Sequence, residues 1–323
     1  MKEKIERLKK LLNEHDNIAL FSHIRPDGDS IGSLLSTDLL LKHLGKNSKI
    51  FSKDDVPEVY RFLPDWKRIY QIRDFQKELY DLIIVLDVSD PDRLGFPADF
   101  GEKTQVICFD HHHTNQGVWD LAFINPEKAA TCLILYDMIS EGFREHLDKD
   151  ISTCLLTGII TDTGGFRYRN TNSEVFNAVS DLIKNDVDYN ELMNSIYASH
   201  PSRKFDLMKM AFSHARREGP VMYTYLQMDD FKKCNALQED TDGIVNMFTA
   251  YKETDISFIF IETASEFQKI SVRSKRIDIS PIATEFGGGG HKNAAGFSMR
   301  GDFKTNFAKA KEFILNYAEK HIK

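Results

Sequence analysis

The chain has 323 residues, with 42 Lys and Arg against 49 Asp and Glu, a formal net charge of −7. That length suggests two domains, each with its own core. The acidic balance excludes a general nucleic-acid coat protein, because any polyanion must be met by a local basic patch or by metal. A hydrophobic share of 41% and a charged share of 28% are ordinary for a soluble globular protein.

The charged start, Met1-Lys2-Glu3-Lys4-Ile5-Glu6-Arg7, lacks a signal-peptide core, and no apolar run reaches membrane-span length. Cys108, Cys132, Cys154 and Cys234 form no CxxC pair. They are expected as small buried residues in a reducing cytoplasm.

Apolar spacing at Ile5, Leu8, Leu11 and Leu12 predicts a helix over 3–14, followed by a short buried strand over 17–21. Residues 29–44 predict a helix ended by Gly45, and 49–51 a brief strand. Leu82-Ile83-Ile84-Val85-Leu86 is wholly apolar, as a central parallel strand should be, and Val106-Ile107-Cys108-Phe109 is similar. Helices are expected near 129–142, 149–163, 173–185 and 189–197. The composition changes over 186–218, and Ala198-Ser199-His200-Pro201-Ser202-Arg203 is expected as a connector. Beyond it come strands near 221–228, 256–262 and 268–273, a short helix near 280–286 and an amphipathic helix over 303–320. Strands alternating with helices indicate an open α/β sheet, in which ligands gather at the carboxyl ends of strands.

Acidic and imidazole side chains fall at those ends. His23-Ile24-Arg25-Pro26-Asp27-Gly28-Asp29-Ser30 places one imidazole and two carboxylates on a strand-to-helix turn sharpened by Pro26 and Gly28. Asp87 closes a buried strand, Asp110-His111-His112-His113 closes another, and Asp162 stands where a helix meets Gly164-Gly165. Any one strand-end Asp can be a helix cap, and Asp29-Ser30 alone could be only that. Asp90 is expected in a turn, and His113 outside the cluster. Several carboxylates packed together would repel without cations. Mixed His and carboxylate ligands without thiolate suit Mn²⁺, whereas Mg²⁺ prefers all-oxygen shells and Zn²⁺ often takes Cys. Two such ions about 3.5–4 Å apart clamp an in-line phosphoryl displacement.

A second signature is Glu285-Phe286-Gly287-Gly288-Gly289-Gly290-His291-Lys292-Asn293-Ala294-Ala295-Gly296-Phe297. Four glycines alone would be a flexible loop. With His291, Lys292 and the small residues that follow, they suggest a loop whose N–H groups nest a phosphate or nucleotide. Upstream, Ile270-Ser271-Val272-Arg273-Ser274-Lys275-Arg276 ends a strand with positive charge, and Arg273 is the expected inward-pointing cation.

In order, His23-x-x-x-Asp27-x-Asp29, Asp87, Asp110-His111-His112 and Asp162 resemble the four motifs of the DHH phosphoesterase superfamily. The glycine run with His291 resembles the DHHA1 domain. The overall plan resembles the nanoRNase/pAp phosphatase (NrnA-like, RecJ-related) branch. RecJ-type exonucleases carry further domains, membrane-bound cyclic-dinucleotide phosphodiesterases carry transmembrane segments, and family II pyrophosphatases lack this glycine run.

The resemblance implies an α/β fold: a DHH domain over 1–187 with a mostly parallel sheet, a helical linker over 188–217, and a smaller α/β DHHA1 domain over 218–323. The active site would lie in the interdomain cleft. It also implies two divalent metal ions, Mn²⁺ or Mg²⁺, one held by His23, Asp27 and Asp87, the other by Asp29, Asp87, His111 and Asp162. Asp110 would support the histidines and His112 would contact the scissile phosphate or leaving oxygen. Arg273, Gly288, Gly289, Gly290 and His291 would hold the terminal nucleotide.

The implied activity is hydrolysis of very short oligoribonucleotides to mononucleotides, removal of the 3′-phosphate from 3′-phosphoadenosine 5′-phosphate, or both. The alternatives are a phosphodiesterase for linear or cyclic dinucleotides and a non-catalytic nucleotide sensor. No extended basic track would serve a long strand, no membrane association is expected, and the resemblance is compatible with a homodimer.

Overall fold

The structure is a computed structural model, described for residues 1–96, 100 and 104–321, with His291 described by its backbone alone. It consists of two units, Met1–Ser199 and His200–Lys323.

The first unit is built on six strands: β1 (Asn17–Phe21), β2 (Asn47–Ser52), β3 (Ile69–Gln71), β4 (Leu82–Leu86), β5 (Gln105–Asp110) and β6 (Leu121–Ile124). Their order is β3-β2-β1-β4-β5-β6 and every pairing is parallel. The central strand β4 is buried throughout because both its faces are covered. Ile18, Leu20, Ile84 and Phe109 face one core, while Ala19, Phe21, Ile83 and Val85 face another rich in aromatic rings.

The helices are α1 (Lys2–Glu14), α2 (Gly28–His43), α3 (Thr131–Gly142), α4 (Lys149–Asp162), α5 (Ser173–Ile183) and α6 (Tyr189–Tyr197). Helix α2 runs through the interior against α4. Glycine permits this approach, since a Cβ on Gly32 would stand 2.4 Å from the Cys154 carbonyl oxygen.

The second unit contains α7 (Ser202–His214), β7 (Arg216–Glu218), β8 (Val221–Leu226), α8 (Met228–Cys234), α9 (Ile244–Thr249), β9 (Ile256–Ala264), β10 (Phe267–Ser274), α10 (Ser280–Glu285), β11 (Gly289–His291), β12 (Ala294–Arg300) and α11 (Phe303–His321). Its sheet runs β11-β12-β10-β9-β8-β7, parallel between β8 and β9 and antiparallel elsewhere. Alternation sends Ile270, Val272, Ala295 and Phe297 into a core with α10 and α11, while Ile259 and Ile261 pack with α7 and α9 on the opposite face.

Residues 188–217 are shared between the units. Leu192 and Ile196 of α6 pack in the first core, whereas Leu207 and Ala211 of α7 pack in the second. Only part of the expected connector is helix-free, because α7 begins at Ser202. The glycine run also differs from the expected loop: Gly289, Gly290 and His291 form an edge strand paired with Gly296, Ala295 and Ala294. The pairing needs glycine at 290, where a Cβ would stand 2.5 Å from the Ala294 carbonyl oxygen, and just before it at 288, where one would stand 2.3 Å from the Gly296 carbonyl oxygen. Among the described residues no helix is long and apolar enough to cross a membrane.

Candidate metal centre

The motif residues meet at the carboxyl end of the parallel sheet. His23 follows β1, Asp87 follows β4, and Asp110, His111 and His112 end or follow β5. Asp27 is the N-cap of α2, its carboxylate accepting the Ser30 N–H at 3.0 Å, and Asp29 lies in the first turn of that helix. Asp162 is the last residue of α4. A Cβ on Gly28 would collide with Thr161, so glycine lets the start of α2 meet the end of α4 and brings their carboxylates together.

Three groups of side chains have ligand atoms within 4.8 Å of one another: His23 with Asp27 and Asp87; Asp29 with His111 and Asp162; and Asp87 with His111 and His112. Asp87 belongs to two of them. It is buried, with Oδ2 3.4 Å from His23 Nε2 and Oδ1 3.7 Å from His111 Nε2. Its backbone has φ of 60°, in the left-handed region that non-glycine residues seldom occupy. The Asp87 N–H donates to the Phe109 carbonyl at 2.8 Å, and Thr131 Oγ1 donates to Oδ1 at 2.9 Å, fixing this conformation from both sides. Such strain persists where the surroundings over-determine it, and it concentrates at functional sites.

Hydrogen bonds select the ring nitrogen each histidine presents. His23 Nδ1 lies 2.8 Å from the Ile24 carbonyl and His111 Nδ1 lies 3.3 Å from the Lys128 carbonyl. A carbonyl only accepts, so each Nδ1 carries the proton and each Nε2, facing the carboxylates, is the nitrogen that could bind a metal. His111 Nε2 is 3.2 Å from Asp162 Oδ2 and 3.9 Å from Asp29 Oδ2. The third ring is held differently. His112 Nδ1 donates to Asp110 Oδ1 at 2.7 Å, and Asn115 Nδ2 donates to the other oxygen of that buried carboxylate at 2.8 Å. Asp110 thus faces His112 and Asn115. Asp90 accepts the Asp92 N–H in a turn, and His113 is exposed in another.

Burial and the crowding of like charges shift the titration of this cluster. Burial opposes a charged His23, yet its bond to Asp87 and the negative Asp27 and Asp87 outweigh burial and push the imidazole up to about 9. His111 is raised well above its ordinary range: burial again opposes, and Asp162, Asp87 and Asp29 prevail. Burial, aided by negative Asp87 and Asp162, lifts the Asp29 carboxyl well above the usual range. Asp87 moves the other way, since His23, His111 and His112 overcome burial and hold it below that range. Divalent cations neutralise such a donor set without retaining protons, and their binding to it releases protons.

Several supporting groups lack a sequence signature. Asp29 accepts the N–H groups of Thr131 and Cys132 at 2.6 and 2.8 Å, at the start of α3, where helix N–H groups have no intrahelical partner. Gly158 leaves the space this carboxylate fills, since a Cβ there would lie 2.6 Å from Asp29 Oδ1.

The second unit gathers the other predicted residues. Arg273, near the end of β10, donates through Nε to Asn246 Oδ1 at 3.1 Å and through Nη1 to the Val272 carbonyl at 3.0 Å. Lys269, Ser271 and Arg273 alternate onto one face, beside Ser298, Gly296 and Ala294 of β12, and Gly289 pairs with Gly296. This strip has small side chains flanked by two cations. The His291 side chain lies outside the described residues.

A parallel sheet carrying overlapping His and carboxylate groups at its carboxyl edge has the donor set of a divalent-metal site. Comparison with known proteins narrows the class. The DHH family, N-terminal domain, matches residues 17–159, and the DHHA1 domain matches 218–320. The bifunctional oligoribonuclease and PAP phosphatase NrnA of Thermus thermophilus is 34% identical, over 88% of this chain and 84% of that protein. Its Bacillus subtilis namesake is 24% identical, over 88% and 90%. The crystal structure of an exopolyphosphatase-related protein from Bacteroides fragilis superimposes with a TM-score of 0.92 at 25% identity, over 99% of this chain and 97% of that one. The chain belongs to the DHH–DHHA1 phosphoesterase family, in the branch of the NrnA oligoribonuclease and PAP phosphatases.

Proposed function

We propose that the chain is a two-metal phosphohydrolase that degrades very short oligoribonucleotides to mononucleotides and removes the 3′-phosphate of 3′-phosphoadenosine 5′-phosphate. The observation that carries this reading is Asp87, shared between two His and carboxylate groups. His23, Asp27 and Asp87 would hold one ion, and Asp29, Asp87, His111 and Asp162 the other. Donors of mixed nitrogen and oxygen, with three of the four cysteines buried, favour Mn²⁺ over Zn²⁺, with Mg²⁺ as the alternative. When bound, the ions supply charge neutralisation at the phosphate and a lowered pKa for the attacking water.

The side chains set the rest. Asp110 fixes His112 by accepting from Nδ1, so the Nε2 edge is the one assigned to the scissile phosphate or leaving oxygen. Arg273, positioned by Asn246, grips the terminal phosphate, and the strip around Gly288, Gly289, Gly290 and His291 receives the terminal nucleotide. A clamp on one end favours short substrates, and a chain of net charge −7 offers little to a long strand. We place the activity in the cytoplasm.

The test is product analysis on 5′-labelled short RNA with Mn²⁺, beside the bisphosphate nucleotide and a cyclic dinucleotide. Mononucleotides from short RNA and released phosphate from the bisphosphate are expected. Turnover of the cyclic dinucleotide alone, or tight nucleotide binding without turnover, would overturn the reading.

A further inference from the structure

The segment after Asp162 has an unusual construction. Gly164, Gly165 and Phe166 have φ of 58°, 67° and 65°, three left-handed residues in succession, the last without glycine's freedom. The surroundings enforce this shape. Thr163 is buried; its carbonyl accepts the N–H groups of Arg167 and Tyr168, both at 3.0 Å, and its hydroxyl accepts that of Phe166 at 3.2 Å. Phe166 turns toward the core of the first unit, its ring 5.4 Å from Phe176. Asn170 donates to the carbonyls of Asp162 and Ala129 at 3.1 and 3.2 Å, tying the segment back to the metal cluster.

This scaffold presents an aromatic face. The Tyr168 ring lies over Gly164, where a Cβ would stand 2.4 Å from it, and the side chain is 47% exposed. Arg167 and Arg169 on either side are exposed. Among the described residues neither forms an ion pair with a carboxylate. Arg167 donates through Nε to the Gly164 carbonyl at 2.6 Å, which holds its guanidinium beside the same turn. A held, half-exposed aromatic ring flanked in sequence by two arginines, a few residues past Asp162, has the chemistry that binds a nucleobase and its phosphate.

We propose that Tyr168, with Arg167 and Arg169, forms a subsite for the second nucleoside of an oligoribonucleotide, its ring stacking on the base across the scissile phosphate from the terminal one. This rests on the phosphohydrolase reading above and adds what separates its two substrates. A 3′-phosphomonoester has a nucleoside on one side of the scissile phosphorus only, whereas a phosphodiester has one on both. The second needs a surface near the metal cluster that the first does not use. Stacking tolerates any base, so this subsite selects for the presence of a second nucleoside and not for its identity.

The test measures kcat/KM of the full chain with Mn²⁺ on a 5′-phosphorylated diribonucleotide and on 3′-phosphoadenosine 5′-phosphate, for wild type, Tyr168→Ala and Tyr168→Phe. The alanine variant is expected to lower the dinucleotide-to-bisphosphate ratio by roughly 5- to 150-fold, as loss of one base–aromatic stack does, mainly through KM. The phenylalanine variant is expected to restore the ratio. A misfolded fraction lowers both activities equally and cannot produce this change. A ratio within twofold of wild type in Tyr168→Ala, or a phenylalanine variant resembling alanine, overturns the subsite. The wild-type arm reports separately on the phosphohydrolase reading, which fails if neither substrate is turned over.

Discussion

Replacing Gly158 with alanine should damage the metal centre from inside a helix. Gly158 lies within α4, and a Cβ there would stand 2.3 Å from Cys132 Sγ and 2.6 Å from Asp29 Oδ1. Helix propensity argues the opposite way, since alanine for glycine in a helix interior gains up to about 1 kcal/mol. The steric effect is larger. Ordinary contact begins near 3.4 Å, so the Asp29 carboxylate must retreat by about 0.8 Å, the kind of overpacking that costs about 1–3 kcal/mol. Retreat also strains the bonds from the Thr131 and Cys132 N–H groups at 2.6 and 2.8 Å. Hydrogen bonds to charged groups contribute roughly 1.5–3 kcal/mol each. Net destabilisation of about 2–4 kcal/mol is expected. Metal affinity should also fall by roughly 10- to 100-fold, as it does when a ligand's support is lost. Urea denaturation and Mn²⁺ titration of wild type and Gly158→Ala measure both. A variant as stable as wild type with unchanged metal affinity would show that propensity prevails and that Asp29 is not confined as described.

Three further expectations concern His23, Thr131 and Arg273. In metal-free protein, His23 titrates near 9 against an ordinary 6.5, so the folded state binds the extra proton between those values. Its contribution, on the order of 3 kcal/mol, is complete below about pH 6.5 and lost as pH rises through about 9. Saturating divalent metal should flatten that loss and release protons on binding, whereas a flat metal-free profile would remove the His23–Asp87 coupling. Thr131→Val should destabilise the fold by about 1–3 kcal/mol by leaving buried Asp87 short of a donor, with Thr131→Ser close to wild type; equal melts for all three would dismiss that bond. Arg273→Ala should raise KM with little change in kcat, and Arg273→Lys should not restore it, because lysine lacks the planar fork; an unchanged KM would take Arg273 out of substrate binding.

The parallel sheet was legible because β1, β4 and β5 are apolar runs, and a strand buried on both faces has that composition. The gathering of His and carboxylate side chains was legible because His23, Asp87 and His111 come at or just past the points where those runs stop. Its support was not. Thr131 and Cys132 reach Asp29 through backbone N–H groups, which carry no residue signature, and the need for glycine at 32 and 158 arises from how α2 meets α4. Helix α7 falls within the helical linker expected over 188–217, but its bounds carry little periodic signal, because Phe205 and Phe212 are exposed while Leu207 and Ala211 are buried and its apolar stripe is blurred. The glycine run looked like a loop because glycine has low strand propensity. It becomes a strand because β12, with Ala295 and Phe297 anchored in the core, offers it an edge.

Whether Asp87 joins two ions can be decided by electron paramagnetic resonance of the chain titrated with Mn²⁺. Two ions per chain with a spin-coupled signal are expected, as for ions about 3.5–4 Å apart, and Asp87→Ala should lose both the coupling and hydrolysis while keeping its fold. A single isolated Mn²⁺ per chain at full activity, or an active Asp87→Ala variant, would contradict a bridged two-metal centre.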